Sequence, residues 1–290
     1  MKDSENWGDH AEQSPRSRSG RASGNARPSP DVEVSVIADY LKLLRDERHW
    51  SRPQVSALTG VSWHQIRQVE RGIRNATSDV VEKLIAAYQL SPAQARYTRE
   101  LLMPALPLPH LPGLRAQVRQ TPHLVDHLTD LADRGVLGVC VDPSGSILAS
   151  NTPMDEAFPG LAQAGNVMRW WFSPAAAPIV VDWDARTDLV VALFKAAIAR
   201  HRCAPEVTDL IRDLSRSGAF LWPWVHSTRV VYTCPTDAPL RLRRPSDGAE
   251  YAVVVHRSDV DSSGQIRRYA LLPLDSTSTS PSSRPPSPAL

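Results

Sequence analysis

The chain has 290 residues, 42% of them hydrophobic, and a formal net charge of +2. That length suits about two domains with a real buried core. The charge is too small for wholesale polyanion binding, so any nucleic-acid contact must come from local patterning and specific donors.

Met1 to Pro30 is rich in Ser, Arg, Gly and Pro and almost devoid of apolar residues after Trp7. It cannot offset its ordering entropy, so a disordered tail is expected. Arg16, Arg18, Arg21 and Arg27 make its later half basic, which suits a solvated tail or an arm assisting non-specific DNA contact. Val34 to Arg48 then has an amphipathic helical pattern, with Ile37, Tyr40, Leu41 and Leu44 inward.

Ser51 to Gly72 holds two short helical patterns meeting at a glycine. Val55 and Leu58 share one face of the first, and Ile66 and Val69 one face of the second. Ser51 and Ser62 stand where N-caps are needed, and Pro53 falls in a first turn that tolerates a missing N–H. Gly60 supplies a left-handed turn and Gly72 a stop. Trp63, His64, Gln65, Arg67 and Gln68 are left facing outward. A short helix with amide, imidazole and guanidinium groups on its solvated face has what reading a DNA major groove requires. Thr77 to Gln89 and Ala93 to Leu102, the latter opened by Ser91-Pro92, read as two further helices, so this part of the chain is all-α in pattern. Met103 to Pro112 follows with four prolines, a stiff extended linker.

Beyond it, Leu114 to Ala132 is helical in pattern, Val136 to Val141 is a strand, and Asp142 to Gly145 turns into a return strand that begins with Ile147 to Ala149 and ends at Ser150-Asn151. Gly165 to Phe172, Arg186 to His201, Pro205 to Leu214 and Ser217 to Val225 read as helices. Thr228 to Thr233, Leu240 to Arg244, Glu250 to His256 and Arg268 to Pro273 alternate or run apolar, as antiparallel strands do. This order is α+β. Ser276 to Leu290 is a second Ser/Thr/Pro tail. The expected division is a tail over 1–30, a DNA-binding domain over 31–103, a linker over 104–112, an α+β domain over 113–274 and a tail over 275–290.

Roughly Val34 to Leu90 resembles the helix-turn-helix of the phage-repressor and xenobiotic-response-element family. The carriers are Arg45, Val55-Ser56, Thr59-Gly60 and Glu70-Arg71-Gly72. Ser56 replaces a small apolar residue, and Arg52 replaces a phosphate-contacting Gln while keeping a donor and adding charge. The resemblance implies five helices around one small core and an ion pair between Arg45 and Glu70, and places Ser62, Trp63, His64 and Gln65 in the first turn of the reading helix. Gln65 or Gln68 is the candidate for a bidentate adenine contact. Trp63 either touches a thymine methyl or folds back on the preceding helix, and His64 meets phosphate or guanine. Arg67 binds phosphate or solvates its helix; Arg52, Arg71 and Arg74 are candidate phosphate clamps. One such unit reads a half-site, so a homodimer on a roughly palindromic double-stranded operator is expected.

In the second half, Asn151, Asn166 to Phe172 with Pro174, Asp182-Trp183, Leu214-Ser215, Ser217 and Phe220 to Trp222 are similar to the MmyB-like ligand-binding domain. Such domains are PAS-like and occur C-terminal to this kind of helix-turn-helix. The resemblance implies a one-component regulator sensing a small apolar ligand such as a fatty acid. Cys234 to Ala238 departs from the family's His-Pro-x-Val-Gly strand. Trp170, Phe172, Trp183, Phe220 and Trp222 are candidate lining, with Asn151, Arg169 and His226 as the polar groups. Each has a structural alternative: the rings as ordinary core, Arg169 paired with Asp182 or Asp184, Asn151 ending a strand, and His226 as scaffold.

No phosphate loop, metal-spaced His/Cys cluster, HExxH helix or GxSxG elbow occurs, so neither catalysis nor a cofactor or metal is expected. Cys140, Cys203 and Cys234 lie far apart and read as reduced thiols. No apolar run approaches a membrane span of roughly 18 residues, and the N-terminus is polar. A cytoplasmic, nucleoid-associated protein without membrane contact is expected. The rival to a ligand sensor is a DNA-tethered interaction module, whose second domain has a filled core and docks a partner protein.

Overall fold

The computed structural model describes residues 36–260 and 264–274. The expected tails, and the first residues of the first helix, lie outside the described residues. The N-terminal helices are α1 (Ile37–Glu47), α2 (Arg52–Thr59), α3 (Trp63–Glu70), α4 (Ser78–Ala87) and α5 (Pro92–Leu102). Local chemistry sets their ends. The Ser51 hydroxyl accepts from the Gln54 N–H, and the Gln54 side chain reaches back to the Ser51 N–H at 2.8 Å. The Ser62 hydroxyl accepts from the Gln65 N–H at 3.2 Å. Gly60 takes φ 69°, a left-handed value costly for any side chain, and so turns α2 into α3.

Tyr40, Leu41, Leu44, Val55, Ile66, Val69, Val81 and Leu84 form the core of these helices. Leu58 is not among them: it is 59% exposed, because α2 ends one residue later and the turn at Gly60 carries it past the core.

The proline segment is not free of the rest. The Leu106 N–H donates to the Arg200 carbonyl at 2.6 Å, and Arg202 donates to the Met103 carbonyl at 2.8 Å. The expected helix from Leu114 to Ala132 is two helices, α6 (Leu111–Gln120) and α7 (Pro122–Asp133). Pro122 disfavours helical backbone at the residue before it, and Thr121 sits at φ −103°, ψ 94°.

After them come β1 (Leu137–Val141), β2 (Ile147–Ser150), α8 (Thr152–Ala157), α9 (Leu161–Ala164), α10 (Val167–Trp171), α11 (Ala176–Ile179) and α12 (Trp183–Ile198). Ala199–His201 is a 3-10 turn, followed by α13 (Pro205–Leu214), α14 (Gly218–His226), β3 (Leu240–Arg243), β4 (Glu250–Asp259) and β5 (Arg267–Pro273). Helices α8, α9 and α11 are too short for periodicity to reveal. The expected strand from Thr228 to Thr233 is extended chain outside the sheet. Alternation announces an extended segment with two unlike faces but does not choose its partner, and here the partners are helices: the Val231 N–H donates to the Ala192 carbonyl of α12 at 3.2 Å.

The strands form one antiparallel sheet in the order β2-β1-β5-β4-β3. Pairing sets Leu137 opposite Leu271, and Leu271 opposite Val255. This is the expected α+β architecture. Alternation along β1 divides the two faces. Leu137, Val139 and Val141 join Met154, Phe158 and Trp170 on one side, whereas Cys140 joins Leu114, Val118, Leu124 and Leu128 under α6 and α7 on the other. At Gly138 a Cβ would meet Leu128 Cδ2 at 3.0 Å and Asn151 Nδ2 at 3.1 Å, so a side chain there would have to push α7 or Asn151 away from β1.

Candidate functional site

Two regions of the molecule carry chemistry. The first is the face of α3. Arg45 donates from Nε to Glu70 Oε1 at 2.6 Å and from Nη2 to Oε2 at 3.0 Å, a bidentate pair shut off from solvent that pushes the Arg45 pKa further up. Arg52 donates to the same carboxylate at 2.7 Å. Its Nε is therefore held inside the protein, while its terminal nitrogens have no partner among the described residues. Three side chains from α1, α2 and α3 converge here and fix the angle of α3.

Along α3, Ser62 is occupied as the N-cap. Trp63 is 51% exposed with its ring edge-on to His64, not folded onto α2. The Gln68 amide nitrogen lies 3.1 Å from His64 Nε2, one turn away, so these two side chains present a joined polar surface. Gln65 is half-buried at the start of the helix. Arg67, Arg71 and Arg74 are exposed and have no carboxylate partner among the described residues. That leaves three cations beside a helix whose outer face is polar and accessible.

The second region is a cavity of about 210 Å³ between the sheet and the helices covering it. Many waters, or an apolar group of some size, would fit such a space. Arg186, Leu189, Val190, Leu193 and Ala197 line it at helical spacing, so one stripe of α12 forms a wall. Arg267, Tyr269 and Leu271 line it at spacing two, the inward side of β5. Val139, Val141, Met154, Phe158, Trp170 and Trp171 close the remainder, and Cys234, Pro235 and Ala238 border it. The lining is overwhelmingly apolar.

Its polar groups are few. Arg267 is the decisive one: it reaches only the Pro143 carbonyl at 3.5 Å and the Ala197 carbonyl at 3.2 Å, with no carboxylate partner among the described residues. Burial pushes its pKa down. Asp142 is buried and satisfied by the Ser144 hydroxyl at 2.7 Å and the Ser146 N–H at 2.8 Å, and desolvation raises its pKa. Arg186 donates to the carbonyls of Ala238 and Pro239, holding that loop against α12.

Of the residues expected to bind ligand, the cavity wall includes Trp170, whose indole N–H donates to the Pro159 carbonyl at 2.8 Å. The others stand elsewhere for physical reasons. Asn151 is wholly spent on scaffold: Oδ1 accepts from the N–H groups of Gly138 and Met154, and Nδ2 donates to the carbonyls of Leu128 and Val136. Arg169 points outward and pairs with Asp213 at 2.9 Å, not with Asp182 or Asp184. Phe172 and Phe220 pack edge-on at 5.3 Å in an adjoining core with Trp224 and with Phe194, which itself borders the cavity. Trp183 meets Phe172 and donates to the Trp171 carbonyl. Trp222 is 68% exposed and stacks on His226 at 4.0 Å, away from the cavity.

Arg186 and Arg267 were the residues sequence reasoning missed. The available signal was positional: Arg267 is in phase with Tyr269 and Leu271, and Arg186 with Leu189, Val190 and Leu193.

A helix-turn-helix with an exposed reading face, joined to an α+β domain with an apolar cavity, has the build of a DNA-binding regulator. The chain belongs to the MmyB-like transcription regulators: the model of their ligand binding domain matches residues 121–280. A helix-turn-helix domain model matches residues 36–97. No curated protein matches the chain. Together the two matches make it a DNA-binding transcription regulator. Among the described residues no helix is long and apolar enough to cross a membrane.

Proposed function

We propose that the chain is a one-component sensor, in which an apolar molecule with an anionic head, of the fatty-acid kind, occupies the cavity and alters operator binding. The observation that carries this is Arg267, a cation in a largely apolar wall with only two long bonds to carbonyls. A half-buried cation in an apolar wall gains from an anionic partner, and a carboxylate would supply one while its tail met Leu189, Val190, Leu193 and Trp170. The open cavity favours this over a filled core that docks a partner protein. DNA would be held by Arg52, Arg71 and Arg74 on phosphates and read by Gln65, Gln68, His64 and Trp63, with two copies on a roughly palindromic site. We place the divide between reading domain and sensor domain within the proline segment 104–112.

The test is titration of the full chain with dodecanoate and with dodecanol, followed by tryptophan fluorescence. Dodecanoate is expected to saturate, and Arg267→Met to weaken it at least tenfold while leaving dodecanol unchanged. Absence of saturable binding by either would return the second domain to partner docking.

A further inference from the structure

Residues 227–239 touch three parts of the molecule in turn. First, they enter the core of the N-terminal helices. The Tyr40 hydroxyl of α1 donates to the Thr228 carbonyl at 2.9 Å, and the Thr228 hydroxyl donates to Glu47 at 2.8 Å. Val230 is buried in that same core, the Tyr232 hydroxyl donates to Glu100 of α5, and the Arg96 guanidinium lies 3.9 Å over the Tyr232 ring.

Second, they are laced along α12. Arg229 pairs with Asp188 at 2.8 Å, the Val231 N–H bonds the Ala192 carbonyl, and Lys195 Nζ donates to the Ser227 carbonyl at 2.6 Å. Third, within a few residues, Cys234, Pro235 and Ala238 border the cavity, and Arg186 of α12 grips the carbonyls of Ala238 and Pro239. Helix α12 is itself two-sided. Its 186, 189, 190, 193 and 197 stripe faces the cavity, while Ala196 packs in the core of the N-terminal helices.

We propose that this strap, residues 227–239, transmits occupancy of the cavity to the DNA-reading helix. It rests on the ligand reading above. An occupant that displaces the α12 stripe or the 234–238 border moves a segment whose other end is bolted to α1. Helix α1 in turn carries Arg45, which holds Glu70 at the end of α3. The path is short, contiguous and made of hydrogen bonds and packed side chains. Contiguous packing and hydrogen bonds of this kind carry coupling between sites when they have two discrete arrangements, and the strap supplies such a connection. Linkage then makes the effect mutual: DNA that favours one arrangement changes ligand affinity by the same factor.

The test uses the full chain and DNA that it selects in vitro, with operator affinity measured by fluorescence anisotropy. The cavity is filled in two independent ways, with dodecanoate and with Leu193→Trp, which needs no ligand; Ala197→Phe replaces the latter if it does not fold. Tyr40→Phe combined with Thr228→Val removes the hydroxyl bonds that join α1 to the strap, Tyr40 to the Thr228 carbonyl and Thr228 to Glu47, while keeping both shapes.

Filling the cavity is expected to change operator affinity about fivefold or more with the native strap, and by less than about twofold in the double variant. That variant should still bind dodecanoate, and the DNA without ligand, as the native chain does. A double variant keeping the full response would overturn the proposal, as would a native chain whose operator affinity ignores both fillings. If dodecanoate does not bind but Leu193→Trp acts only through the native strap, the fatty-acid reading falls and the strap stands.

Discussion

Arg45 and Glu70 stand 25 residues apart in sequence and meet through two hydrogen bonds, of 2.6 and 3.0 Å, with both side chains buried. Arg52 adds a third, so one carboxylate orients a helix through two guanidinium groups. Glu70→Ala leaves Arg45 with only the half-exposed Asp46, 2.7 Å from Nη1, strips Arg52 of its partner, and is expected to cost about 3 kcal/mol in urea unfolding. Glu70→Gln retains an acceptor and should fall between the two. Operator binding should weaken in both, since α3 loses its attachment to α1 and α2.

At the reading face, Gln68 and Arg71 are expected to behave differently. Gln68→Ala should relax the selected sequence at one position by roughly 1–3 kcal/mol. Arg71→Ala should weaken all sequences alike and lower the salt slope of binding by about one. In-vitro selection and a salt titration measure these outcomes. A selected motif unchanged by Gln68→Ala would remove Gln68 from the base-reading set.

Phe220 and Trp222 are neighbours with opposite fates. Phe220 is fully buried against Phe172, Phe194 and Trp224, so Phe220→Ala should cost about 3–5 kcal/mol in thermal or chemical unfolding. Trp222 is mostly exposed, and Trp222→Ala should stay within about 0.5 kcal/mol and leave dodecanoate binding intact.

Lys195 supplies a pH dependence. It is 2% exposed, and burial pushes its pKa down to about 8 from an ordinary 10.5. Between those values the unfolded chain holds more protons than the folded one, so this group makes stability rise with pH. Below the lower value its charge is carried at full cost. From pH 8 to 10 the unfolding free energy of the native chain is expected to gain ~2 kcal/mol relative to Lys195→Met. Equal slopes for the two proteins would mean that Lys195 titrates as it does in water.

The reading helix was legible because its determinants are local. Ser51, Gly60 and Ser62 set caps and a turn within a few residues of themselves, whatever lies across the core. The cavity was not legible, because clustered aromatics look the same whether they surround a space or fill one. Trp170 meets the cavity, and Phe220 seals a core beside it. Arg169 beside two tryptophans suggested a ligand partner, yet Asp213 lies across from it on α13, a contact no local pattern announces. Arg267 lay one residue ahead of the expected strand, which began at Arg268, whereas β5 begins at Arg267 itself. Only the register of β5 against β1, with Val141 opposite Arg267, turns it inward.

Val230, Ala196 and Ala199 complete a core otherwise made by the N-terminal helices. The two halves of this regulator are therefore not interchangeable parts. An N-terminal fragment cut in the proline segment would open a seam along α1 and α5, with the Tyr40 hydroxyl facing water and apolar side chains uncovered. Recombination that grafts a foreign sensor onto these helices would have to bring its own counterpart of Val230. A linker of the same length would not by itself close that seam.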